Sequence, residues 1–142
     1  MKGYLVVRAG GDRYGLPIGE VVEVVDDAAT EPVPGGLPAV LGVARIRGRM
    51  VPVVHLGALL TDCAPSERER RTVVVTRCGA GRVAFEVDDA DAVVRDVAIP
   101  VSQDGKAPWA SGVVRHDEAL IPILDMDMLD ERLAIRSGEA TP

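Results

Sequence analysis

Apolar and polar residues alternate along this chain in short stretches, broken by Gly, Pro and Asp. A period of two is the signature of half-buried strands. In the first half it predicts strands over Tyr4–Ala9, Arg13–Pro17, Val21–Val25, Leu41–Arg47 and Met50–His55. Tight turns separate them at 10–12 and at Arg47-Gly48-Arg49. A helical segment, Leu56–Leu60, follows. The second half repeats the order. Strands are expected over Thr72–Arg77, Arg82–Val87, Ala92–Val94, Val113–Arg115 and Ala119–Leu124. A helix near Asp127–Ala134 comes next, with Asp125 or Asp127 as its N-cap.

The two halves are copies of one pattern. Gly42 to Leu56, GVARIRGRMVPVVHL, aligns without a gap on Gly112 to Met126, GVVRHDEALIPILDM. Gly, Val and Arg recur at the first, second and fourth positions, and Pro52 matches Pro122. Upstream, Arg13-Tyr14-Gly15-Leu16 matches Arg82-Val83-Ala84-Phe85, and Val24-Val25 matches Val93-Val94. A repeated β unit of this size buries too little surface to stand alone, so two small closed barrels packed on each other are expected. The fold class is mainly all-β. The first barrel spans about 12–65, with room for strand exchange, and the second about 72–126. The polar stretch Thr61–Arg71 reads as their connection, its charges as a solvated surface. The tail 137–142 reads as frayed.

Composition agrees and narrows the function. Among 142 residues there are 23 Val, but one Phe, one Trp and two Tyr. The net charge is −6, which opposes sequence-independent nucleic-acid binding. Four aromatics are too few for a stacking platform. No apolar run approaches the roughly 20 residues that span a bilayer, and the N-terminus lacks a signal-peptide pattern. These features point to the cytoplasm. Two cysteines, Cys63 and Cys78, are too few for a disulfide framework and read as reduced thiols.

No catalytic pattern emerges. His55 and His116 occupy neighbouring columns of the repeat and have no spacing for a metal. No serine sits in a nucleophile motif, and there is no phosphate loop. The acidic run Glu86-Val87-Asp88-Asp89-Ala90-Asp91 lacks the spacing of a calcium loop, so its acids are expected to face water or a basic partner. No catalytic residue, metal or cofactor is therefore assigned, and the chain reads as an interaction module rather than an enzyme.

The first-half motif resembles the CheW family of chemotaxis coupling proteins. It runs from Tyr14-Gly15 through Glu23 and Pro32, Pro34 and Pro38 to Gly42–Leu56. In the second half, TVVVTRCGAGRVAFEVDDADAVV and SGVVRHDEALIPILDMDMLD also resemble the family. The likeness covers residue 4 to about 133. It implies a single CheW-like domain over 1–136, built of two SH3-like five-stranded barrels, with a helix near 127–134.

The resemblance also implies a role. Family members are non-enzymatic adaptors. They couple the cytoplasmic tip of a methyl-accepting chemoreceptor to the regulatory domain of the histidine autokinase CheA, and meet the membrane only through receptors. By motif position, Arg47, Gly42, Val21 and Glu23 match places implicated in partner binding, and Val87 matches a groove position. Arg47 precedes a tight turn, where its guanidinium can reach an acid with two prongs. Strand pattern alone reads Val21 and Val87 as core. Three departures stand out: His55 where the family has Asp or Asn, a short 97–109 region, and Pro17 with Pro34–Gly36. They leave open a scaffold in another pathway, such as pili, development or second-messenger control, or a stand-alone domain that titrates partners.

Overall fold

The computed structural model describes residues 2–33, 39–61, 64–65, 70–101 and 107–136. The tail 137–142, Cys63, Pro34–Gly36 and Pro38 lie outside the described residues, as does most of the expected connection. The strands are β1 (Lys2–Ala9), β2 (Asp12–Pro17), β3 (Val21–Ala29), β4 (Val40–Ile46), β5 (Arg49–His55), β6 (Arg70–Cys78), β7 (Gly81–Val87), β8 (Asp89–Asp96), β9 (Ile99–Pro100), β10 (Ala110–His116) and β11 (Ala119–Leu124). A 3₁₀ turn, Ile18–Glu20, links β2 to β3. Helices α1 (Leu56–Leu60) and α2 (Met126–Arg136) follow β5 and β11. Each strand expected from the alternation is present. The two-residue β9 was not predicted.

The expected all-β fold of two curled sheets is borne out, with an exchange of strands. One sheet has the order β3-β6-β7-β5-β4 and the other β8-β1-β2-β11-β10-β9. The strands at 2–17 thus complete the sheet of the second half, and those at 70–87 complete the sheet of the first. Sequential spans of 12–65 and 72–126 do not coincide with the sheets. The exchange is symmetric. β5 joins β7 in parallel through Val53↔Ala84, and β11 joins β2 in parallel through Ile123↔Gly15.

Each sheet curls shut at an equivalent glycine. After β3, Glu31 pairs with Val43 through two backbone hydrogen bonds of 2.8 and 2.9 Å. After β8, β9 pairs with β10 at Gly112↔Pro100. Gly42 and Gly112 each follow an irregularity in their ladder, and each lies under the incoming strand. A Cβ on Gly42 would overlap the Glu31 carbonyl oxygen, and one on Gly112 would come within 2.8 Å of the Ile99 carbonyl oxygen. Only glycine admits so close an approach of another backbone.

Alternation along β1 and β6 distributes one apolar run between two cores. Tyr4 and Val6 enter the core of the six-stranded sheet with Val114, Ile121 and Ile123. Leu5 and Val7 face the other way, into the largest cluster, which lies between the sheets. Likewise Val73 and Val75 fill the five-stranded sheet, while Val74 joins the central cluster. All five residues of α1 are buried. Three of the four aromatics, Tyr14, Phe85 and Trp109, sit in this central core. Tyr14 and Trp109 meet edge to face at 5.3 Å. Three of the scarce aromatics therefore hold the sheets together, while mainly Val and Ala fill the five-stranded sheet and Tyr4 with Val and Ile fills the six-stranded one.

The repeat also sets the helix starts. The His55 N–H donates to the Ala39 carbonyl, and the Asp125 N–H to the Trp109 carbonyl, both at 2.8 Å. Asp125 Oδ1 then accepts from Asp127 N at 3.0 Å and Met128 N at 3.2 Å, capping α2. At the matching place in the first half, His55 Nδ1 accepts from Ala58 N at 2.9 Å and caps α1. The departure at position 55 thus keeps a helix cap and supplies it with an imidazole.

Two charge expectations are corrected. Arg71, placed in the solvated connection, is buried at the start of β6. Glu86, placed among acids expected to face water or a basic partner, is 3 % exposed. They pair at 2.8 Å, and His55 Nε2 lies 3.6 Å from the same carboxylate oxygen. With Nδ1 accepting, the neutral His55 ring carries its hydrogen on Nε2, facing Glu86. Each charge is tolerated inside because the other accompanies it.

Cys78 is buried in the central core, and its Sγ donates to the Met126 carbonyl at 3.7 Å. Burial, with Asp130, Asp127 and Glu20 nearby, pushes its thiol up to about 12. Its thiolate is therefore scarce at ordinary pH. In a Cys63→Ser background, the native protein should resist iodoacetamide at pH 8 and react only in urea. Stoichiometric alkylation without denaturant, read by intact mass, would mean that the thiol is not shielded. Between pH 9 and about 12 the unfolded chain loses this proton first, so stability should fall as pH rises through that window.

Candidate functional site

The sequence-derived residues fall into three environments. Arg47 and Glu23 come together. The turn between β4 and β5 places Arg47 at φ 52° and Gly48 at φ 76°. Two successive positive φ values make the tight hairpin turn that matches strand twist. A non-glycine residue enters that region at a cost of about 1–2 kcal/mol. Arg47 Nε donates to Glu23 Oε2 on β3 at 3.3 Å, so the turn is tied across to the neighbouring strand. The Arg47 side chain stays 76 % exposed, its remaining nitrogens turned to solvent.

Gly42 and Val21 lie in other surroundings. Gly42 is the closure glycine of β4, at φ 151°. It lets β4 meet the Glu31 backbone. Val21 pairs with Thr76 of β6 and is half-buried against the central core. Val87 is not on a groove. It is 3 % exposed within the central core, as strand pattern alone had read it.

The repeat uncovers surfaces that motif reading missed. Among the described residues, six of the eight large exposed apolar side chains fall in matched pairs, Met50 and Leu120, Val24 and Val93, Val33 and Val101, while Val97 and Ile99 have no such counterpart. Met50 is 52 % exposed and stands opposite Arg45 on β4, while Leu120 is 55 % exposed and stands opposite Arg115 on β10. The signal was available, since each pair shares an offset of 68 to 70 residues. Strand alternation alone does not say which apolar residue turns outward. Among the described residues, no group of three or more His, Cys, Asp or Glu side chains is arranged for a metal. Among the described residues, no helix is long and apolar enough to cross a membrane.

Residues 3–133 match the model of the CheW-like domain. The chain belongs to the CheW-like domain family. It is 31 % identical over 121 residues to the chemotaxis protein CheW of Thermotoga maritima, covering 81 % of this chain and 78 % of that one. It is 39 % identical over 83 residues to the protein PilI of Pseudomonas aeruginosa, covering 56 % of this chain and 47 % of PilI. The fold is similar to that of the scaffolding protein TtCheW from Thermoanaerobacter tengcongensis, with a TM-score of 0.78 at 20 % identity. That match covers 90 % of this chain and 86 % of the other. The CheW-like likeness therefore extends over both sheets and is not confined to the first-half motif.

Proposed function

We propose that this protein is a non-enzymatic adaptor of chemotaxis-type signalling. It works in the cytoplasm, joining the regulatory domain of a CheA-type histidine kinase to the tip of a chemoreceptor. The observation that carries the reading is the doubled surface. An adaptor must hold two partners at once, and this fold offers a large exposed apolar side chain near the start of one strand in each sheet, Met50 on β5 and Leu120 on β11. Exposed apolar side chains of this size mark interaction sites when they cluster. Family membership supplies the kind of partner.

Arg47 is the residue to test. Arg47→Glu should weaken binding to the cognate kinase regulatory domain by about tenfold, as loss of a charge-assisted contact does. Binding is read by calorimetry. Unchanged affinity would remove Arg47 from the interface. The swapped pair Glu23→Arg with Arg47→Glu separates two roles. It restores affinity if Arg47 only anchors the turn to β3, and fails to restore it if Arg47 touches the partner.

The similarity to PilI supports a second reading, the same scaffold in a pathway other than chemotaxis. Neighbouring genes for a CheA-type kinase and a chemoreceptor would favour the first reading.

A further inference from the structure

The repeat gives the molecule two equivalent grooves, and they differ in charge. The first, of about 390 Å³, lies between the start of β5 and the β6–β7 turn. The second, of about 540 Å³, includes the matching start of β11 and β1–β2 turn. Offsets of 69 and 70 residues place Met50 on Leu120, Arg77 on Arg8 and Arg82 on Arg13. The turn leading into each groove has diverged: Arg47-Gly48-Arg49 in the first stands against Asp117-Glu118-Ala119 in the second.

The second groove is neutralised from within. Asp12 lines it, and Arg13 pairs with Asp117 at 3.6 Å. Among the described residues, the first groove has no acid in its lining. Arg77 and Arg82 stand directly opposite each other in the β6–β7 ladder, and Arg49 joins them from β5. Among the described residues, no carboxylate lies within ion-pair distance of these three arginines. Arg77 uses one nitrogen on the Gly19 carbonyl at 3.0 Å. Of the nearby acids, Glu23 holds Arg47, and Asp130 lies against Gly79, a residue of the lining, outside ion-pair distance of the three arginines. Like charges placed opposite each other in a sheet oppose folding. Here they sit together in a chain whose net charge is −6.

We propose that the first groove docks an acidic, aliphatic-bearing segment of a protein partner, and that the second groove does not. Arginine forks match carboxylates in two-pronged pairs. Met50, half in solvent beside Val51, offers the apolar contact that such a segment needs. Gly81, in the lining, has open space around it and lets a partner backbone come close. A nucleic acid fits less well. The groove lacks an aromatic on which a base could stack, and the acidic molecule repels a long polyanion beyond these few residues.

The probe is a short fluorescein-labelled synthetic peptide of Glu, Asp and Leu, titrated by anisotropy. Saturable one-to-one binding is expected, weakening as salt rises to about 0.3 M. Arg49→Glu with Arg82→Glu should weaken it about tenfold, and the milder Arg49→Gln with Arg82→Gln should weaken it in the same direction. Arg13→Gln in the second groove should leave it unchanged. Thermal midpoints no lower than wild type show that the variants fold. Equal binding by the charge-reversed protein overturns the proposal. So does equal binding of the Gln/Asn version of the peptide, or tighter, competing binding of an oligothymidylate of equal charge. The proposal gives one face of the adaptor a chemistry. No kinase or receptor enters the test, so its failure and that of the adaptor reading are separable.

Discussion

Gly42→Ala should destabilise the protein by on the order of 3–5 kcal/mol. Two costs combine at this one atom. The backbone sits at φ 151°, which L side chains rarely adopt. The new methyl would also occupy the place of the Glu31 carbonyl oxygen, which is backbone and cannot swing aside. The Glu31–Val43 pairing that closes the five-stranded sheet would have to open. Gly112→Ala is the internal comparison. Its Cβ would lie 2.8 Å from the Ile99 carbonyl oxygen, a lesser intrusion against a two-residue strand. A loss of about 1–2 kcal/mol is expected there. Urea midpoints for the two variants check the order. Equal midpoints for Gly42→Ala and wild type would mean that the sheet closes without this approach.

Glu86→Ala is the second large effect, again on the order of 3–5 kcal/mol. The variant removes the carboxylate that Arg71 meets at 2.8 Å and that His55 faces at 3.6 Å. It leaves a guanidinium buried without that counter-charge, together with a cavity where the Glu86 stem packed. Arg71→Met with Glu86→Leu distinguishes the causes. An apolar pair of similar volume should lose much less than the single variant, because no charge is stranded. If the double variant melts as low as Glu86→Ala, packing rather than charge sets the loss. His55→Asn should retain the α1 cap, whereas His55→Asp would bring a second carboxylate toward Glu86 and cost more.

These two sites mark how far the sequence could be read. The strands were legible because alternation is local and the Val runs are bounded by glycines. Gly42 and Arg47 were legible through the motif around them, and the repeat pointed to two barrels. Which strand pairs with which was not legible. Nothing in the pattern of residues 4–9 or 73–75 says that each run completes the sheet of the other half. Arg71 and Glu86 were misread for the same reason. Each stands in a charged run, and only long-range pairing brings them together and inside. Val87 shows the converse, since local alternation placed it in the core and motif matching placed it on a groove. The basic groove escaped notice because Arg49, Arg77 and Arg82 come from separate strands.

The exchange of strands changes what the stretch between the halves does. Each half lacks strands that the other holds, so neither is a domain in its own right. Together they resemble the subunits of a domain-swapped dimer, joined near residues 61–70. Because both halves lie on one chain, each is held at a high effective concentration for the other. Association becomes intramolecular, and the complete fold is independent of how dilute the protein is.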